Sequence, residues 1–194
     1  MSISKRYVGA EGKEVHGMVW EELKEDLIFT CVEARSIDEV FDQLGGALVR
    51  AGYGRDDYVQ ALKDREGEYP TGLNVNGIGI AIPHTPVDYA NGTATCIGVL
   101  KEPVTFLGMG TDEEVPVKLV FTLCVTDPHA HIDQLKQIVL IIQDGEVLQR
   151  LIGSKDPKEI IQIIKDKEQA LEFALGGDRK STRLNSSHNQ RTRM

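Results

Sequence analysis

From Val117 to Val125 the chain is apolar on both faces of an extended backbone. Val117, Leu119, Phe121, Leu123 and Val125 alternate, and Val120 and Cys124 lie between them. A strand of that pattern has no side to turn to water, so it belongs in the middle of a sheet that is covered above and below. Ala94-Thr95-Cys96-Ile97-Gly98-Val99-Leu100 is a second such run. Segments with helical spacing lie before and after these strands. The expected fold is therefore α/β: a single domain with a mixed β-sheet and helices on both faces. The 194 residues, 41% hydrophobic, suffice for a core of that kind.

The other elements follow in order. Residues 1–26 read as an N-terminal extension with little periodicity before Val19-Trp20-Glu21-Glu22-Leu23-Lys24. Met18 is a candidate start, which peptides from residues 1–17 in the native protein would exclude. Leu27 to Val32 is a first strand. Ser36-Ile37-Asp38-Glu39 has the form of a capping box, and Gly52 and Gly54 end the helix that it opens. Asp56 or Asp57 caps a second helix, which runs through Tyr58 and Leu62 to about Arg65. Pro103 to Phe106 reads as a short edge strand. Ile132, Leu135, Ile138, Val139 and Ile142 recur with helical spacing after Asp127-Pro128, and Asp144-Gly145 interrupts them. Asp156-Pro157-Lys158-Glu159 opens the last helix with an acidic cap and proline at its first position.

Chemistry enters at Gly77-Ile78-Gly79-Ile80-Ala81-Ile82-Pro83-His84-Thr85. The apolar stretch is a buried strand ended by Pro83, which leaves His84 at a strand terminus, where rigid scaffolds present reactive groups. A neutral imidazole there is a nucleophile able to hold and release a phosphoryl group. The plain alternative is a core or turn histidine bonded to backbone. Upstream stand Arg65-Glu66 and Pro70-Thr71-Gly72. This set, closing on Ile82-Pro83-His84, resembles the enzyme IIA domain of the bacterial sugar phosphotransferase system. Within that superfamily it is similar to the fructose–mannitol type, most of all to its galactitol-specific branch, over about Leu27 to Lys165.

The resemblance implies that His84 accepts phosphate from the carrier protein HPr and passes it to a cysteine of enzyme IIB, which works with a membrane enzyme IIC. It places Arg65 beside the phosphohistidine, where a guanidinium fork matches phosphate oxygens; taken alone, Arg65 reads equally as a surface arginine paired with Asp64 or Glu68. Asp127-Pro128-His129-Ala130-His131-Ile132 resembles the family's histidine at a helix opening, which makes His131 an assisting residue and leaves His129 a solvent-facing turn residue. Galactitol or a related polyol is the expected substrate, and no cofactor or metal is implied. Three readings compete: a regulatory enzyme IIA, a metal-dependent hydrolase using His84, His129 and His131 with Asp127 or Asp133, and a non-catalytic interaction domain in which His84 is structural. A rim of Phe106 and Met109 around His84 is a further expectation, with core packing as the alternative for both.

Asp178 to His188 resembles the translation of a sequencing adapter, so residues 178–194 are set apart from a domain spanning 27–177. Without them Lys+Arg falls from 22 to 17 and Asp+Glu from 30 to 29, and the net charge moves from −8 to −12. An acidic surface repels nucleic acid and attracts a basic partner. No apolar run is long enough to cross a bilayer and no secretory pattern begins at Met1, so a cytoplasmic protein without membrane insertion is expected. Cys31, Cys96 and Cys124 lie in apolar segments and read as buried free thiols.

Overall fold

The strand that is apolar on both faces is the third of five. The structure is a computed structural model that describes residues 7–8, 14–15 and 17–185, with side chains over 17–174. Its elements are β1 (Tyr7–Val8), β2 (Glu14–Val15), α1 (Val19–Glu22), β3 (Ile28–Val32), α2 (Ile37–Arg50), α3 (Tyr58–Glu68), β4 (Gly72–Val75), β5 (Ile78–Ala81), β6 (Ala94–Leu107), β7 (Glu114–Cys124), α4 (Pro128–Ile142), α5 (Gly145–Gly153) and α6 (Pro157–Asn185). The main sheet has the order β3-β6-β7-β5-β4, while β1 and β2 pair with each other. It is mixed, as expected: β3–β6 and β5–β7 are parallel, and β6–β7 and β4–β5 antiparallel. Among the described residues no helix is long and apolar enough to cross a membrane.

Two apolar layers flank the sheet. On one face Ile80, Ile97, Leu119, Phe121 and Leu123 pack with Ile138 and Ile141 of α4, Leu148 and Leu151 of α5, and Ile160, Ile163 and Ile164 of α6. On the other, Cys96, Leu100, Phe106 and Val120 pack with Phe41, Leu44 and Leu48 of α2 and Tyr58 and Leu62 of α3. Val19 and Leu23, from the segment set apart as an extension, join the first layer. The backbone N–H groups of Val19 and Trp20 each donate to the carboxylate of Glu168 on α6, both at 2.9 Å, so that side chain serves the start of α1 from a distance of almost 150 residues.

Three expectations need correction. Val117 packs on the α2–α3 face, opposite to Leu119, because Lys118 is an extra residue in the ladder: Gly79 pairs with Val117, and Ile80 with Leu119. Such a bulge shifts the alternation by one. The Lys118 ammonium donates to the carbonyl of Lys101 at 2.6 Å and so ties the irregularity to β6. Pro103 to Phe106 is no edge strand. It continues β6 against β7, from Val104↔Val117 to Leu107↔Glu114, and Pro103, which lacks an N–H, falls inside the shifted stretch between Val99 and Val104. Cys96 and Cys124 are buried, and burial pushes both thiols up to about 12. Cys31 is exposed instead, since β3 is the outermost strand of the main sheet.

Strand β4 was not among the expected elements. It returns as β5 through Asn76 and Gly77, with φ of 53° and 83°. Two positive φ values make the tight turn that suits strand twist, and Asn-Gly is its usual sequence, so the signal was present. Just beyond it, a Cβ on Gly79 would overlap the carbonyl oxygen of Pro116, backbone that no rotamer change can move. Gly79→Ala is expected to lower the thermal midpoint by about 2–10 °C, the range for overpacking in a domain of this size. An unchanged midpoint in a calorimetric scan would show that β5 and β7 can separate freely.

Candidate active site

Strand β5 delivers a histidine to the rim of the sheet and fixes it there. Ile82 and Pro83 stay buried beyond the strand end, and the N–H of Leu123 on β7 donates to the Pro83 carbonyl at 3.0 Å. His84 itself forms an isolated parallel bridge with Leu123, whose carbonyl accepts from the buried Tyr58 hydroxyl at 2.7 Å. The ring is held as firmly as the backbone. Its Nδ1 lies 2.9 Å from the carbonyl of Ile82. A carbonyl only accepts, so Nδ1 carries the hydrogen and Nε2 keeps its lone pair.

His131 arrives from α4. Asp127 caps that helix by accepting from the N–H of His129 at 2.9 Å, and Pro128 occupies its first turn. The His131 ring stands edge-on to that of His84, with centroids 4.7 Å apart and planes at 77°. Its Nε2 is buried without a hydrogen-bond partner.

Arg65 comes from the last turn of α3, and the two halves of the upstream motif meet around it. The carboxylate of Glu66 accepts from the Thr71 N–H at 2.8 Å and from the Thr71 hydroxyl at 2.9 Å, so the Arg-Glu pair and the Pro-Thr-Gly turn form one folded unit. Arg65 Nε is also buried without a partner, and the guanidinium lies over the ring of Tyr69 at 4.2 Å from its centroid.

Charge follows from this packing. Burial, reinforced by the Arg65 cation, lowers the proton affinity of His84 against the opposing bond to Ile82. His131 falls further, to about 4, through burial, the neighbouring His84 and Arg65. Both imidazoles are therefore neutral near pH 7. The His131 Cε1–H resonance is expected to titrate with a midpoint near 4, against 6.5 in the unfolded chain. The sign for stability follows: as pH falls below 6.5 the unfolded state takes the proton first, so stability present above 6.5 is lost progressively toward pH 4. A midpoint near 6.5 would show a solvated ring.

The three residues expected at the site thus sit in one electrostatic unit. His129 is exposed, and among the described residues no group of three or more His, Cys, Asp or Glu side chains is arranged to hold a metal ion. Phe106 belongs to the core, edge-on to Phe41, so it forms no rim. Met109 is exposed beside the Pro-Thr-Gly turn, its N–H donating to the Gly72 carbonyl at 2.8 Å. Tyr69 was not anticipated; an aromatic four residues after an arginine on a helix is the signal that reveals it.

The family described as phosphoenolpyruvate-dependent sugar phosphotransferase system, EIIA 2, matches residues 21–167. The chain belongs to that family. The mannitol-specific phosphotransferase enzyme IIA component of Staphylococcus aureus (strain Mu50 / ATCC 700699) is 34% identical over 142 residues, 73% of this chain and 93% of the relative. The galactitol-specific EIIA component of Escherichia coli O6:H1 is 31% identical over 114 residues, 59% of this chain and 76% of the relative. Among solved structures, the Escherichia coli mannitol enzyme IIA in its complex with phosphorylated enzyme IIB superposes with a TM-score of 0.63 at 27% identity, covering 74% of this chain and 97% of that one. This enzyme IIA chain is accordingly a phosphotransferase component of a sugar or polyol phosphotransferase system.

Proposed function

We propose that His84 is the phosphoryl acceptor, that the donor is phosphorylated HPr, and that the next acceptor is a cysteine thiolate of an enzyme IIB. The observation that carries this reading is the fixed tautomer of His84, a neutral ring whose Nε2 lone pair is free and whose Nδ1–H is engaged by Ile82. Nε2 attacks phosphorus in line, a new N–P bond forms as the donor's N–P bond breaks, and the donor imidazole leaves. The phosphorylated ring then carries positive charge, which the Ile82 carbonyl stabilises by accepting the Nδ1–H hydrogen bond. Thiolate attack reverses the balance: an S–P bond forms, the N–P bond breaks, and His84 returns neutral. Arg65 Nε–H, and His131 Nε2 in the tautomer that carries its hydrogen there, are donors that nothing else engages and from which phosphoryl oxygens can accept. No proton leaves His84 at either step.

The proposed place of action is the cytoplasm, which the proposed partners and the cytoplasmic side of a membrane enzyme IIC require. A polyol is the proposed substrate, with galactitol the first to test. The Glu66 to Gly72 stretch and the Met109-Gly110 loop support galactitol, while relatives of both mannitol and galactitol type support the wider class. Incubation with enzyme I, HPr and radiolabelled phosphoenolpyruvate tests the carrier step, which requires acid-labile label on His84. Label absent under excess phosphorylated HPr overturns it. Transfer rates to galactitol-type and mannitol-type enzyme IIB then decide the substrate.

A further inference from the structure

We propose that Tyr69 is a positioning residue for Arg65, holding the guanidinium over its ring so that the arginine's charge and donors stay free for the transferring phosphoryl group. This rests on the reading of His84 given above. The geometry is local and rigid. Arg65 and Tyr69 are four residues apart across the last turn of α3, where side chains stack, and the Tyr69 N–H donates to the Arg65 carbonyl at 2.7 Å. Pro70 follows at once and restricts the Tyr69 backbone, which lies at φ −131°, ψ 80°. One residue further, Thr71 is bound to Glu66 through both its N–H and its hydroxyl. The backbone that carries the ring is therefore held on both sides, while the ring itself is 57% exposed and lies against the Arg65 guanidinium.

The choice of an aromatic has a physical reason. A carboxylate would also orient a guanidinium, but it would neutralise the charge and occupy two donors. A ring face attracts the cation through its quadrupole and takes no hydrogen bond. The carboxylate next in sequence, Glu66, is turned to Thr71, and Arg65 Nε is left buried without a partner. Arg65 is thus oriented without being satisfied, the condition in which an incoming phosphoryl group gains most from it. The exposed face of Tyr69 offers a second role, simple contact with a docking protein, and the two roles separate kinetically.

The test uses the full chain with phosphorylated HPr as donor and compares Tyr69→Ala, Tyr69→Leu and Tyr69→Phe with the parent. Expected is a fall in kcat of about three- to thirtyfold for Ala and Leu, with KM within about twofold, and recovery in Tyr69→Phe to within about twofold of the parent. The Arg65 Nε–H proton, shielded by the ring current, is expected to move downfield in Ala and Leu and to stay in place in Phe. A raised KM with unchanged kcat would make Tyr69 a docking contact and overturn the proposal. So would a Phe variant as slow as Ala, since the hydroxyl would then be responsible. Should the parent protein take no phosphoryl group, the reading of His84 falls, and the Arg65 resonance still decides the stack; an unmoved resonance in Ala and Leu overturns it.

Discussion

His84→Ala is expected to fold normally and to accept no phosphoryl group. The methyl group supplies no lone pair, and among the described residues no other side chain on the rim of the sheet has the same preparation. His84 combines a neutral ring, an Nδ1–H committed to Ile82 and an unengaged Nε2. The structural cost is small because the side chain is half-buried and its hydrogen bond is to the neighbouring Ile82. The backbone bond from Leu123 to Pro83, which fixes the strand end, does not involve the imidazole. Circular dichroism should therefore give a thermal midpoint within a few degrees of the parent, while radiolabel uptake from phosphorylated HPr drops to background. The informative failure is partial labelling. With His131 4.7 Å away, centroid to centroid, label mapped to a peptide containing His131 would move the acceptor to the second ring.

What could be read from the chain divides by the range of the interactions involved. The central position of β7 was visible because its apolar pattern is a property of nine consecutive residues. Its break in parity at Lys118 was not, since the bulge depends on Pro103 and Lys101 in a strand that arrives from elsewhere. The exposure of Cys31 was hidden for the same reason: an apolar segment does not declare whether its strand lies at the middle or the edge of a sheet. The β4–β5 hairpin was legible in Asn76-Gly77 and was missed. At the site, His84 and Arg65 came from spaced motifs, and their resemblance to a known family joined residues that local periodicity cannot join. The turn of Glu66 toward Thr71, which frees the arginine beside it, has no signature in the sequence. It depends on Thr71, five residues on, returning to the helix end to donate to that carboxylate.

Arg65→Ala is expected to slow phosphoryl transfer by about 10²- to 10³-fold, the cost seen when one fixed electrostatic donor is removed from a transition state. The effect should fall on kcat if, as proposed, the guanidinium acts where charge builds up during transfer. Arg65→Lys should recover only part of the loss, since a point charge lacks the planar fork and cannot stack on Tyr69 in the same way. A second consequence is independent of that interaction. The Arg65 cation is one of the causes that lower the proton affinity of both His84 and His131. Removing it must raise both, so the variant's His131 should titrate above the midpoint near 4 expected for the parent. His84 would then become protonated, and lose its nucleophilic lone pair, at a higher pH than in the parent. The rate profile of Arg65→Ala should therefore begin its acid-side decline earlier, with a smaller loss relative to the parent at pH 8 than at pH 6. A variant with full activity would remove Arg65 from the site. One slowed equally at every pH, with His131 titrating as before, would mean that the guanidinium stabilises transfer without setting the protonation of the two rings.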